Sequence, residues 1–296
     1  METNMKYDLL PLEEGDEDYI GSKLEENAES IVPAEPDAKE ENVVLKITDD
    51  DGNVIAGSVF AVDNWKIAFL HVLWVDERYR RQGLASALIR ESERIARNKK
   101  CYLVVLGSFD FQARPLYEKH GYKLYGVVED WPRGHCNYAL GKRLDRPSPE
   151  YIPSNPQKES KYEVEVGNED DIKVICAGID AHNQAHVPDE RESDALGKRI
   201  SDENGGLIAA YTASIDGWNA AYFDAVWVEE PYRNQGIGSQ LLQDAERELK
   251  EKGAYVMLLW CYDWEAEFFI KRGFTVCTAC EDNPKGHCYY CMKKLL

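Results

Sequence analysis

FLHVLWVDERYRRQGLA (residues 69–85) and YFDAVWVEEPYRNQGIG (residues 222–238) are two versions of one sentence, and they decide how the chain is read. A second pair follows each: EDWPRGHCNY (residues 129–138) and EDNPKGHCYY (residues 281–290). Blocks paired half a chain apart mean two copies of one domain rather than a short-period solenoid. Between the copies, residues 145–161 hold Pro147, Pro149, Pro153 and Pro156 among polar neighbours, with no apolar periodicity. That composition predicts a linker. The expected organisation is a first domain over 1–146, a Pro-rich linker over 147–159 and a second domain over 160–296.

Working outward within the first copy, residues 43–48 and 54–62 are strand-like runs, and DDDGN (residues 49–53) between them is a hairpin turn signal. A third strand-like run covers 66–75. Leu84, Leu88, Ile89, Ser92 and Ile95 then recur at helical spacing, followed by an apolar run over 102–106 and a short helix around Leu116. The second copy repeats this with Ile237, Leu241, Leu242, Ala245 and Leu249, then an apolar run over 255–260. Strand, glycine turn, helix, strand is a βαβ unit. Each copy closes with two strands around its Pro-x-Gly-His hairpin. The fold class is therefore mixed α/β.

Composition limits the function. The formal net charge of −19 argues against a duplex nucleic-acid partner, because phosphate binding needs clustered Lys and Arg. Residues 1–42 carry 14 Asp and Glu against 3 Lys and Arg, a solvated acidic surface or an attractor of a cationic amine. No run of about eighteen apolar residues is present, and the acidic start does not read as a signal peptide, so no membrane partner is expected. Eight cysteines without an export signal read as reduced thiols, which leads to a cytoplasmic expectation.

The chemistry is expected where strand meets helix, at Arg80, Arg81, Gln82, Gly83, Leu84 and Ala85 and again at Arg233, Asn234, Gln235, Gly236, Ile237 and Gly238. Glycine lets the backbone approach a ligand closely, and the free N–H groups of a helix's first turn suit a diphosphate. Neither loop is a Walker sequence or a dinucleotide fingerprint. Here the chain resembles the GNAT acetyltransferase family, whose coenzyme loop runs Arg/Gln-x-x-Gly-x-Gly/Ala. The resemblance spans nearly all of both copies and implies tandem domains, each a mixed, mostly antiparallel twisted sheet flanked by helices with a splayed central strand pair. It implies acetyl-CoA as acyl donor, held by the loop's N–H groups, with Val75 and Val228 offering backbone hydrogen bonds to its pantetheine arm. The family's Asn-x-x-Ala-x-x-x-Tyr helix pattern finds Tyr117 and Ala113, with Asp110 in the Asn place.

In the family that tyrosine protonates the departing thiolate, which makes Tyr117 the expected general acid. Phe269 replaces it in the second copy and cannot give up a proton. The strand carrying His71 is similar to the histidine-bearing strand of the serotonin N-acetyltransferases, where such a histidine assists amine deprotonation; Asp224 holds that place in the second copy. A half-buried structural histidine is the alternative. Cys277, Cys280, Cys288 and Cys291 are spaced like zinc ligands, but residues three apart on a strand face opposite ways, so no metal is expected. The shared Gly-His-Cys, with His135 and His287, suits either a hairpin turn contact or the rim of the acceptor pocket, the structural role being the expected one. The expectation is an N-acetyltransferase acting on the primary amine of a small molecule or peptide, with a first domain that transfers and a second that binds CoA with little transfer. A non-catalytic acyl-CoA sensor is the rival reading.

Overall fold

A computed structural model of the chain describes residues 7–146 and 161–296, so the whole of the expected linker lies outside the described residues. In chain order the first copy gives β1 (Leu10–Pro11), α1 (Asp16–Ile31), β2 (Glu41–Thr48), β3 (Val54–Val62), β4 (Ile67–Val75), α2 (Leu84–Asn98), β5 (Leu103–Phe109), α3 (Arg114–Lys119), β6 (Lys123–Glu129) and β7 (Cys136–Arg143). The second gives β8 (Glu165–Val166), α4 (Glu169–His186), β9 (Asp194–Ser201), β10 (Leu207–Ile215), β11 (Ala220–Val228), α5 (Ile237–Glu251), β12 (Val256–Tyr262), α6 (Asp263–Ile270), β13 (Thr275–Glu281) and β14 (Cys288–Leu295). Every strand and helix expected from periodicity is present. The two longest additions, α1 and α4, fall in the polar stretches that open each copy.

The chain divides into two compact units, and neither is a contiguous half. One comprises 34–188 with 280–286; the other takes the described residues up to Pro33, then 189–279 and 287–296. This differs from the expected ranges 1–146 and 160–296. Each copy's opening strand and helix belong with the other copy's sheet. In the first unit β8, from the second copy, pairs antiparallel with β2, and neighbours then run β2, β3, β4, β5, β7, β6. The second unit repeats that order as β1, β9, β10, β11, β12, β14, β13. In both, all pairings given are antiparallel except the central one, β4 with β5 and β11 with β12.

The same anchor fixes each exchanged helix. Asp171 in the first turn of α4 accepts the Asn168 N–H at 2.8 Å and ion-pairs with Lys46 of β2 at 3.0 Å. Asp16 of α1 accepts the Glu13 N–H at 2.7 Å and pairs with Arg199 of β9 at 3.2 Å. A carboxylate at a helix N-terminus satisfies orphan donors and complements the helix dipole. One turn further on, Ile175 and Ile20 are fully buried. Each such side chain contributes roughly 1.5–3 kcal/mol. Gly57 of β3 has no room for a Cβ, which would lie 2.2 Å from Ile175 Cδ1, and a Cβ on Gly178 would lie 2.2 Å from Trp74 Cε2. Two glycines thus let α4 press against the sheet.

On the sheet of the first unit, α2 buries Leu84, Leu88, Ile89 and Ala96 against Leu45, Ile47, Ile55 and Phe60. The second unit packs Ile237, Leu241, Leu242 and Leu249 in the same way. A helix whose apolar stripe faces a sheet while its charges face water is stabilised by that packing more than by propensity.

Candidate active site

β4 and β5 pair in parallel only from Ile67 with Leu103 to Leu70 with Leu106, and then separate. A cleft of about 1070 Å³ opens at that splay. Asp76 donates to the Ile55 carbonyl at 2.9 Å, one bond of a hydrogen-bonded antiparallel pair. Alternation along the ladder therefore turns the N–H and C=O of Val75 away from β3, toward the side that β5 has left. The Val75 carbonyl is taken by Arg80 Nε at 3.1 Å. Its N–H is the group left to meet a ligand.

Beyond Val75 a short 3-10 turn over Glu77–Tyr79 leads into the glycine loop. Arg81 (φ 61°) and Gly83 (φ 89°) are left-handed, and no side chain caps α2. The first-turn N–H groups are thus free to serve an anion. Arg80, Arg81, Gly83, Leu84 and Ala85 all line the cleft, with Arg90 and Lys119 adding positive charge. Gln82 is exposed and takes no part in the lining. Ser86, also on the wall, is held by His120 Nε2 at 3.0 Å. Burial first, then the Lys142 cation, pushes His120 down to about 4, so it works as a neutral imidazole.

His71 and Tyr117 reach the same cleft from different elements. Along β3 the register slips: Val59 faces Val72 and Phe60 faces Leu70, leaving His71 as the extra residue of a β-bulge. A bulge re-aims a side chain, and here it turns a strand histidine out of the alternating pattern. His71 is open to the cleft yet crowded by protein, and desolvation lowers its pKa below the usual imidazole value. Tyr117 on α3 is only 7 % exposed, and its hydroxyl has no partner among the described residues. Desolvation raises its pKa, which keeps the phenol protonated.

Asp110 is not part of the lining. Its carboxylate holds the hairpin instead, accepting from His135 Nδ1 at 2.9 Å and from the Cys136 N–H at 3.3 Å. Asp263 treats His287 and Cys288 identically in the second copy, at 3.1 and 3.3 Å. The Gly-His-Cys repeat is therefore a hairpin brace. Gln112 stands at the cleft in place of Asp110, its carbonyl accepting the Phe109 N–H at 2.9 Å. All eight cysteines are free thiols, and among the described residues no group of three or more His, Cys, Asp or Glu could hold a metal.

Sequence reasoning missed the wall supplied by α4. Ile179 and His182 line the cleft, Asn183 accepts from Gln112 at 2.9 Å, and His186 stacks on Phe111 at 5.3 Å. The Asn168-x-x-Asp171 capping box was the available signal for the helix. No local pattern says which sheet it joins.

The second unit copies the loop. Asn234 (φ 60°) and Gly236 (φ 89°) are left-handed, Arg233 Nε donates to the Val228 carbonyl at 2.9 Å, and Asp224 is the extra residue of a matching bulge. β11 and β12 also separate early, after Tyr222 with Leu258. Beside Asp224 in place of His71, three further differences bear on the site. Phe269 replaces Tyr117 at the same 7 % exposure. Arg272, a permanent cation, takes the place of His120 and donates to Ser239 at 3.1 Å. A Cβ on Gly238, where the first copy has Ala85, would meet the Phe268 ring at 3.2 Å.

A splayed parallel strand pair, a left-handed glycine before an uncapped helix and a buried phenol meet at one cleft. The model of the acetyltransferase (GNAT) family matches residues 11–122 and 172–274, and the chain belongs to that family as a tandem N-acetyltransferase. Over 91 residues it is 34% identical to a blasticidin-S acetyltransferase of Streptomyces morookaense, covering 30% of this chain and 67% of that protein. An acetyltransferase of Bacillus cereus, solved by crystallography, is 36% identical over 46% of this chain and 97% of its own, with a TM-score of 0.43. An Agrobacterium tumefaciens structure described as a putative acetyltransferase is 21% identical over 45% and 96%, with a TM-score of 0.39.

Proposed function

We propose that the cleft beside Tyr117 transfers an acetyl group from acetyl-CoA to a primary amine of a small molecule or peptide. The observation that carries this is the convergence of the glycine loop, His71 and Tyr117 on one cleft. Acetyl-CoA fits the residues present: uncapped first-turn N–H groups and Arg80, Arg81, Arg90 and Lys119 suit its phosphates, and the N–H of Val75 suits an amide of its arm. Bound there, it would supply the activated acyl group.

The chain's own residues do the rest. An alkylammonium must lose a proton before it attacks, and His71, neutral because its pKa is lowered, takes that proton directly or through water. The amine nitrogen then bonds to the thioester carbonyl carbon, and backbone N–H near Val75 meets the negative oxygen. As the carbon–sulfur bond breaks, its electron pair stays on sulfur, Tyr117 gives the thiolate a proton, and the second proton lost by the nitrogen returns to the phenolate directly or through water. Desolvation weakens Tyr117 as an acid but raises the basicity of a buried thiolate as well.

For the second copy, its intact loop and Phe269 support coenzyme binding with little transfer. The Streptomyces relative makes antibiotic-type amines the first class to try. The test is full-length protein with acetyl-CoA and a panel of antibiotics, polyamines, amino acids and peptides. A rise in melting temperature with acetyl-CoA and amine-dependent release of free thiol are expected. A melting shift with no thiol release for any amine would favour the sensor reading, and no shift at all would end both.

A further inference from the structure

Arg80 opens the glycine loop, and three of its five N–H groups are engaged within the protein. Nε holds the Val75 carbonyl at 3.1 Å, one terminal nitrogen meets Glu77 at 3.2 Å, and the other reaches His182 Nδ1 at 3.3 Å. Because an arginine can only donate, His182 must accept through Nδ1, so its proton sits on the other nitrogen. On the far side of the cleft the same helix meets the segment after β5, through Asn183 with Gln112 at 2.9 Å and His186 stacked on Phe111. Arg80 follows β4 and Phe111 follows β5, the two strands whose separation makes the cleft. The helix that carries His182 therefore joins the two lips, and the neutral imidazole is its tie to the Arg80 side.

We propose that His182 is a positioning residue for the transfer site, by which the second repeat's opening helix holds the coenzyme loop in its binding shape. This rests on the acetyl-CoA reading of the cleft. The helix is itself firmly seated beside the loop, since Gly178 packs without clearance on Trp74, Asn183 on Gln112 and His186 on Phe111. A loop that binds through backbone N–H groups gains affinity from being fixed beforehand. The second unit offers a contrast. Aligning Asp16 with Asp171 and Ile20 with Ile175 puts Asn27 of α1 at the place of His182, and among the described residues Arg233 has no side-chain bond to that helix. The strap occurs in the repeat that kept its tyrosine.

Protonation would undo it, since imidazolium has no lone pair for Arg80. The groups around the ring are Arg80 and His186, which oppose its charge, and Glu77 and the Phe111 backbone, which favour it. With desolvation the balance is a lowered pKa, so the strap holds at neutral pH and fails on acidification.

The experiment measures KM and kcat for acetyl-CoA across pH, with melting temperatures, in full-length wild type, His182→Ala and His182→Asn. Alanine should raise KM about tenfold, the loss of roughly one hydrogen bond, with kcat little changed. Asparagine can accept from Arg80 through Oδ1, at the place of Nδ1, so it should recover most of the affinity. Wild-type KM should climb below the ordinary imidazole range and the asparagine variant's should not. Wild-type KM in His182→Ala, or an asparagine variant no better than alanine, overturns the proposal; so does a KM that climbs with acid equally in wild type and His182→Asn, the comparison that remains if alanine fails to fold. Wild type that neither binds nor uses acetyl-CoA would instead sink the function proposed above.

Discussion

Removing one oxygen atom isolates the proposed acid. Tyr117→Phe deletes the hydroxyl and leaves the ring, and the second repeat already shows the result in place: Phe269 sits 7 % exposed where Tyr117 is 7 % exposed, edge-on to Phe274 at 5.8 Å as Tyr117 is to Tyr122 at 5.8 Å. The lost hydroxyl had no partner among the described residues, so stability should change by less than about 1 kcal/mol. That is a melting shift within about 4 °C. A positioned general acid is worth about 10²–10⁴ in rate, or roughly 3–5 kcal/mol of barrier. Steady-state kinetics with acetyl-CoA and the best amine should therefore show kcat down at least a hundredfold with KM for acetyl-CoA nearly unchanged. A variant of wild-type melting temperature that keeps kcat within about twofold would remove Tyr117 from the chemistry.

Three more outcomes test other links. His71→Gln abolishes one titration: its pKa is lowered, so in wild type log kcat/KM should steepen by one unit of slope as pH falls below it, over and above the amine's own protonation, and the glutamine profile should lack that break. Gly83→Pro and Gly236→Pro each force proline, whose φ is fixed near −65°, onto a φ of 89°; transfer should be lost in the first and largely kept in the second, and the reverse pattern would move the reaction to the other repeat. Gly178→Ala should lower stability by about 1–3 kcal/mol in urea unfolding, less up to about 1 kcal/mol of gained helix propensity, because the new Cβ meets a rigid indole at 2.2 Å. A variant more stable than wild type would show that α4 is not pressed on Trp74.

Much of the fold was legible because its signals are local. The alternation in β3 and the spacing of Leu84, Leu88 and Ile89 on α2 report which face of each element is buried, and a repeat doubles every such signal. The glycine loop was legible for a similar reason: a left-handed residue before a helix is a backbone requirement that only a few residue types meet. His71 was found by resemblance, but the bulge that aims it was not, since one extra residue in a strand leaves no mark until its partner strand is known. Asp110 was misplaced because a motif position gives no account of what a side chain bonds, and His135 takes it.

The sequence by itself determined the elements, their duplication and the chemistry available at each loop, because periodicity, turn residues and side-chain type act over a few residues. Only the tertiary structure decided that α1 and α4 change places, that α4 walls the cleft and that His182 meets Arg80 at its lip. Those depend on contacts such as Lys46 with Asp171 and Trp74 with Gly178, between residues far apart in the chain. The free energy of such a contact depends on the surface it meets, and no stretch of sequence near either partner records that surface.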